Sequence, residues 1–381
     1  GGACNLGSIN LSRFVNNPYD DNASIDWDKL AESSSILTRF LDNVVTWNES
    51  LNALDKQKKA ASETRRLGLG VMGVADMLNQ LGIGYDSTEG VELMTKIMEF
   101  ITNASFQASA LLAKEKGMSP IFDLDKYMEC PFIQESLSEN TRLAIKEHGL
   151  RNIAIMSIAP TGTISNIVLS YKTKEKNYIG VSGGVEPIFA TFYNRRSESF
   201  GNKIFKVFHS TIQAYIDKNG LNEEISSTED INKVEEMLPK FLTRTAHKID
   251  SKNRVVMQGA IQKYIDHSIS STINLPEDVQ PELISDIYFK AWEQKLKGVT
   301  IYRDGSRFPI LSTGETESTP FQMQKDQKYS IVQPDGDTKE VSGDEIMKLP
   351  DGSLTTVYHY LGDDNKVHSN IEKNKKEGVT I

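Results

Sequence analysis

The sequence predicts an α/β protein built on buried, mostly parallel strands, with a small appendage at its carboxy terminus. Strand-sized apolar runs, IAIMSIAP at 153–160, VEPIFATFY at 185–193, SSTINLP at 270–276 and GVTIYRDGS at 298–306, alternate with longer segments of helical periodicity. The 381 residues also exceed the length at which one core usually suffices. After about Arg307 the composition shifts to Thr, Ser, Gln, Lys, Asp and Gly, leaving YSIV at 329–332 and LTTVYHYLG at 354–362 as the main apolar runs. Residues 1–310 are therefore expected to form the main domain, 311–328 a linker and 329–381 the appendage.

Taken in order, Leu6, Ile9 and Leu11 suggest a first strand. Leu30, Ile36, Leu37, Phe40, Leu41, Val44 and Val45 then recur at helical spacing, with Asp26 or Asp28 available as the amino-terminal cap. Asp86 with Glu89 has capping-box form, and Leu93, Ile97, Phe100, Ala104, Ala108 and Leu111 keep one apolar face until Gly117. Further helices are predicted at about 203–219, ending at Gly220, and at about 281–297, where Pro281 suits the first turn and Gly298 the exit.

Composition narrows the function. The net charge of −9 comes from 52 acidic and 43 basic residues spread along the chain, with no basic block to track a nucleic-acid backbone. No apolar run reaches the roughly 18 residues of a membrane-spanning helix, and the amino terminus lacks the pattern of a secretory signal, so a cytoplasmic location is expected. The two cysteines, Cys4 and Cys130, are too few for a disulfide framework or a zinc site. The six histidines form no metal-binding pattern.

Gly68, Gly70 and Gly73 have the G-x-G-x-x-G spacing of a dinucleotide loop, but the preceding KKAASETRR is polar where that loop needs a strand. The reading preferred here is glycines that let helices pack closely. APTGTISN, Ala159–Asn166, follows an apolar strand; its Pro and Gly shape a tight turn, and amides opening a helix could cradle an anion. An ordinary capped strand-to-helix turn explains the same residues equally well. In SGGVEPIFATFYNRR a buried Glu186 needs a partner, and an arginine is the simplest one. Cys4 on its own reads as a small buried hydrophobe, and Cys130 has no neighbour that would activate it.

In this order ACNLGSINL, RRLGLGVMGVADML, APTGTIS, GGVEPIFA, MQGAIQKYIDHSISSTINLP and GVTIYRDGSR resemble the catalytic chain of ribonucleotide reductases, over residues 1 to about 307. APTGTIS resembles the phosphate loop of the adenosylcobalamin-dependent class II enzymes. Ile301 with Tyr302 stands where iron-dependent large subunits carry two adjacent tyrosines. The resemblance implies the second half of a ten-stranded α/β barrel, a thiyl-radical reduction of ribonucleotides to 2′-deoxyribonucleotides, and adenosylcobalamin as cofactor. It makes Cys4 one of the two reducing cysteines, and Pro160, Thr161, Gly162, Thr163, Ile164 and Ser165 the loop that holds the substrate diphosphate or triphosphate. The implied partners are a thioredoxin-like reductant and, in one allowed assembly, a second copy in a dimer.

The N-x-C-x-E finger segment that bears the radical cysteine in that family lies upstream of CNLGSINL and is not among these residues. The expectation is an amino-terminal half supplied in trans, covering edges that would otherwise invite aggregation. Two other readings stay open: a catalytically silent phosphate-binding or regulatory subunit, and a fragment of a class I large subunit.

Overall fold

In the computed structural model, residues 4–197, 203–228, 230–306, 328–332, 338–348 and 354–357 are described. The chain divides into a unit of residues 1–303 and a second of residues 304–381. The first break thus falls at Arg303, a few residues before the expected boundary at 310. Nearly all of the expected linker lies outside the described residues.

The first unit is organised around a row of parallel segments. Asn5–Asn10 pairs with Leu67–Met72 in parallel register, Asn5 opposite Leu67 and Asn10 opposite Met72. Leu69 bridges Met156, and Ile158 bridges Ile269, both in parallel. Thr272–Leu275 then pairs in parallel with Thr300–Arg303. Read across, five segments run the same way, in chain order, with helices in every connection. This is the repeated strand–helix–strand pattern that the alternating apolar runs predicted.

Leu67–Met72 is buried at all six positions, as a strand covered on both faces should be. Gly68 and Gly70 belong to this strand, which corrects the expectation that they serve helix packing. A Cβ on Gly70 would lie 2.4 Å from the Ser157 carbonyl oxygen, so the close approach is between strand backbones. Gly73, with φ +74°, then turns the chain into the helix Val74–Gln80.

Trp27–Leu51 and Thr88–Lys116 are the long helices, and they pack against each other. Asp26 caps the first, its carboxylate accepting from the Lys29 amide at 3.1 Å. Ser87, rather than Asp86, caps the second: its hydroxyl accepts from the Gly90 amide at 3.0 Å, while Asp86 takes Arg244 as a partner instead. Ser87→Ala is expected to lower stability by about 1 kcal/mol, read as a shift in the urea midpoint at constant m.

A buried polar network ties the Trp27–Leu51 helix to the starts of two central segments. Asp42, fully buried, accepts from Arg65 at 2.8 Å and from Asn152 Nδ2 at 3.0 Å, just ahead of the second and third segments.

Three predicted elements differ. Lys203–Phe208 is a strand, paired antiparallel with Phe192–Ser197, and the helix begins only at Ser210. In the apolar run at 185–193, Ile188 makes an isolated bridge to Thr245 and the strand proper starts at Phe192. The last helix of the unit, Pro281–Glu293, starts at the proline as predicted but ends before Lys295, whose φ is +56°, rather than at Gly298.

In the second unit Lys328–Val332 pairs antiparallel with Thr338–Ser342, and Ile346–Lys348 with Leu354–Thr356. Tyr329 and Val341 are buried there. The rest of the 354–362 run lies outside the described residues, apart from Val357, which is buried.

Candidate functional site

The APTGTIS loop leaves the third parallel segment directly after Ile158. It does not open a regular helix, as the sequence suggested, but a single 3₁₀ turn at Ile164–Asn166. Two hydrogen bonds shape it, from the Ser165 amide to the Thr161 carbonyl at 2.9 Å and from Asn166 Nδ2 to the Gly162 carbonyl at 2.6 Å. Thr161 is buried with φ +53°, a conformation that costs a β-branched residue energy and persists only when its surroundings fix it. Gly162, Thr163 and Ile164 are exposed, and among the described residues the amides from Thr161 to Ile164 donate to no protein acceptor. A run of successive amides without protein acceptors is the kind of backbone that can bind an anion.

The surroundings that hold Thr161 come from the second motif, SGGVEP. Thr161 Oγ1 accepts from the Gly184 amide at 2.8 Å, and the Val181 amide donates to the Ser165 carbonyl at 2.9 Å. A Cβ on Gly183 would meet the Pro160 carbonyl oxygen at 2.6 Å. Gly183→Ala is therefore expected to push the two segments apart and to lower stability by about 1–3 kcal/mol. An unchanged thermal midpoint would show that the loop yields without strain.

The SGGVEP segment is fixed at both ends. At one end the buried carboxylate of Asp76 accepts from the Ser182 amide at 2.6 Å and from its hydroxyl at 2.8 Å. His209 Nε2 lies 2.7 Å from the other carboxylate oxygen, which the Thr211 hydroxyl also contacts. Burial pushes the Asp76 carboxyl up, but the His209 charge and the hydrogen bonds from His209, Thr211 and Ser182 outweigh it and hold the group below the usual carboxylate range.

At the other end Glu186, partly buried rather than buried as expected, is paired with the buried Arg254 and accepts from the Thr272 amide at 2.8 Å. Arg254, 3% exposed, also donates to Tyr85 Oη at 3.0 Å and to Ser271 Oγ and the Thr272 carbonyl, each at 3.1 Å. The Tyr85 hydroxyl in turn contacts the Val185 carbonyl. Burial raises its phenol to about 12, so it stays a donor at any physiological pH.

Cys4 precedes the first strand, at the opposite end of the row. By register it stands beside Arg66, and its sulfur would lie 3.0 Å from a Cβ on Gly68. The residue is exposed overall, against the buried-hydrophobe reading, yet its sulfur is desolvated enough to raise the thiol pKa; Arg66 opposes the shift and Asp266 adds to it. The thiol therefore stays protonated at neutral pH. Cys4 and the loop are about one strand length apart, on the order of 15–20 Å at the rise of an extended chain. The structure thus brings the loop and SGGVEP together and sets Cys4 at the far end.

Sequence reasoning missed Asp76, His209 and Arg254. Asp76 lies in RRLGLGVMGVADML but stands out there only as one polar residue of a helical pattern, His209 and Arg254 lie outside the motifs, and the separation of 133 positions between Asp76 and His209 leaves no local signal. Cys130 is exposed. Among the described residues no group of three or more His, Cys, Asp or Glu is placed to hold a metal ion, and no helix is long and apolar enough to cross a membrane.

Residues 1–302 match the family described as ribonucleotide reductase, barrel domain. A vitamin B12-dependent ribonucleoside-diphosphate reductase of Thermoplasma acidophilum is 36% identical over 323 residues, covering 83% of this chain and 38% of that protein. The enzyme of the same description from Mycobacterium tuberculosis is 32% identical over 331 residues, covering 83% of this chain and 42% of that protein. The chain thus spans about two fifths of the length of these relatives. In fold it is similar to the Actinobacillus ureae class Id ribonucleotide reductase alpha subunit, with a TM-score of 0.56 and 22% identity over 79% of this chain and 49% of that one.

Proposed function

Because the chain belongs to the ribonucleotide reductase barrel-domain family, we propose that it supplies the phosphate-binding half of a class II reductase that converts ribonucleotides to 2′-deoxyribonucleotides. The observation that carries this reading is the run of free amides from Thr161 to Ile164, held by SGGVEP at the exit of a parallel segment. Pro160, Thr161, Gly162, Thr163, Ile164 and Ser165 bind the substrate diphosphate or triphosphate through these amides. The nucleotide lies along the strand row, with its sugar toward Cys4.

Cys4 acts as one of two reducing thiols. As the 2′-hydroxyl leaves as water, the pair gives up two hydrogens and becomes a disulfide, which a thioredoxin-like reductant reopens by thiolate exchange. A protonated Cys4 suits this step, because the thiol is a hydrogen source. The cysteine that carries the radical, and the second reducing thiol, come from reductase sequence other than these 381 residues. A dimer and a cytoplasmic location go with this reading, and the second unit has the place of an appendage.

Adenosylcobalamin is the cofactor of this proposal, in keeping with the vitamin B12-dependent names of the relatives. It would supply the radical that the finger cysteine uses. A cavity of about 510 Å³ beside Asn5 and Trp47 is lined by amide and apolar side chains, with no titratable group, and is sized for a molecule smaller than a corrin. No step performed by this chain runs through the cofactor.

The test is hydrogen exchange on the 381-residue chain with and without a ribonucleoside diphosphate. Protection centred on 160–165 is expected, and protection elsewhere, or none, would remove the reading. Reductase recovered with this chain from its native cells should need added adenosylcobalamin. Activity that instead required a radical-generating small subunit would favour the class I alternative.

A further inference from the structure

The reductase reading gives the Asp76–His209 pair no role, although Asp76 lies within RRLGLGVMGVADML, and the geometry of the pair leads to the phosphate loop. Asp76 is fully buried, and one of its oxygens takes both the amide and the hydroxyl of Ser182, at 2.6 and 2.8 Å. The Ser182 carbonyl is in turn held by the Gly73 amide at 2.8 Å. Ser182 is thus clamped on both sides of its backbone, and Val181 before it and Gly184 two residues after it make the hydrogen bonds that tie this segment to the loop. The other Asp76 oxygen faces His209 and Thr211.

We propose that Asp76 and His209 are positioning residues that set the phosphate loop, and that the charge on His209 tunes the affinity of the loop for anions. This rests on the loop being a phosphate site. A buried carboxylate a few residues from that site repels the ligand unless a cation offsets it, and electrostatic interactions are strong where water is excluded. His209, 19% exposed and 2.7 Å from the Asp76 carboxylate, is placed to carry that offsetting charge. The titratable groups facing Asp76 are His209 and Tyr19, whose phenol is held well above its usual range by burial and by Asp76 itself, and so stays neutral. With His209 protonated the pair carries no net charge and the loop accepts an anion. Once His209 is neutral, the bare Asp76 charge weakens binding.

The experiment is calorimetric binding of inorganic pyrophosphate to the full chain and to two variants, across about pH 5.5 to 8.5, the range in which histidine titrates. His209→Gln keeps a donor toward Asp76 but cannot be charged. The ratio of wild-type to variant affinity, in which the titration of pyrophosphate itself cancels, should fall several-fold as pH rises. Asp76→Asn, which replaces one oxygen of a carboxylate engaged by Ser182, His209 and Thr211 with a donor, should weaken binding by about tenfold at every pH. It should also speed hydrogen exchange at residues 181–184 without ligand. Wild-type binding with a flat His209→Gln ratio, or Asp76→Asn behaving as wild type in both affinity and exchange, overturns the inference and leaves the loop reading intact. Failure of the wild-type chain to bind pyrophosphate at all overturns the loop reading, and the inference with it.

Discussion

Arg254→Met is expected to cost the first unit about 3 kcal/mol, the lower end of the range for breaking a buried ion pair by removing one partner. The lower end applies because Glu186, left behind, is 27% exposed and recovers some solvation. The loss goes beyond one pair. Arg254 donates to Tyr85, Ser271 and the Thr272 carbonyl as well as to Glu186, so methionine leaves several acceptors in the interior without a donor. Urea unfolding would measure it, and a double-mutant cycle with Glu186→Gln would separate the pair from the rest of the network. A loss below about 1 kcal/mol would mean that water enters and replaces the guanidinium.

Cys4→Ser should abolish deoxynucleotide formation by the assembled reductase under turnover with a thioredoxin-like reductant, a fall of at least about a thousandfold, on the scale of losing a member of a catalytic unit. The hydroxyl is nearly isosteric but cannot form the disulfide that carries away the oxidising equivalents. Folding and nucleotide binding should persist, because Cys4 precedes the first strand and is exposed. Retained turnover in the serine variant would give Cys4 back to its structural reading.

Of the central parallel segments, IAIMSIAP was legible as a nearly continuous apolar run, and SSTINLP by alternation, with Ile273 and Leu275 buried between the partly exposed Thr272 and Asn274. The stretch at 203–219 misled for a physical reason. In KIFKVFHSTIQAYI the apolar positions 204, 205, 207, 208, 212 and 216 suit a helix almost as well as a strand, and pairing with Phe192–Ser197 decides for the first six residues. The glycines of GLGVMG were misread because the polar KKAASETRR ahead of them hid a strand that starts abruptly at Leu67. At the candidate site both motifs were visible, but not their contact. That Gly184 caps Thr161, and that Asp76 and Arg254 hold the segment between them, depends on partners far apart in sequence. Local pattern carries no information about such pairs.

The parallel row also sets a timetable for making the protein. Parallel neighbours cannot be joined by a tight turn, so each waits for a long stretch of chain: 62 residues separate Asn5 from Leu67, 87 separate Leu69 from Met156, and 111 separate Ile158 from Ile269. At ribosomal speed the last interval alone takes on the order of 10 s. For that time the nascent third segment has one finished side and one bare side. Closing the 111-residue gap then fixes the floor on which the APTGTIS loop stands. The loop is consequently among the last parts of the unit to acquire its shape during synthesis, and a growing chain interrupted before Ile269 would carry the whole APTGTIS sequence without that shape.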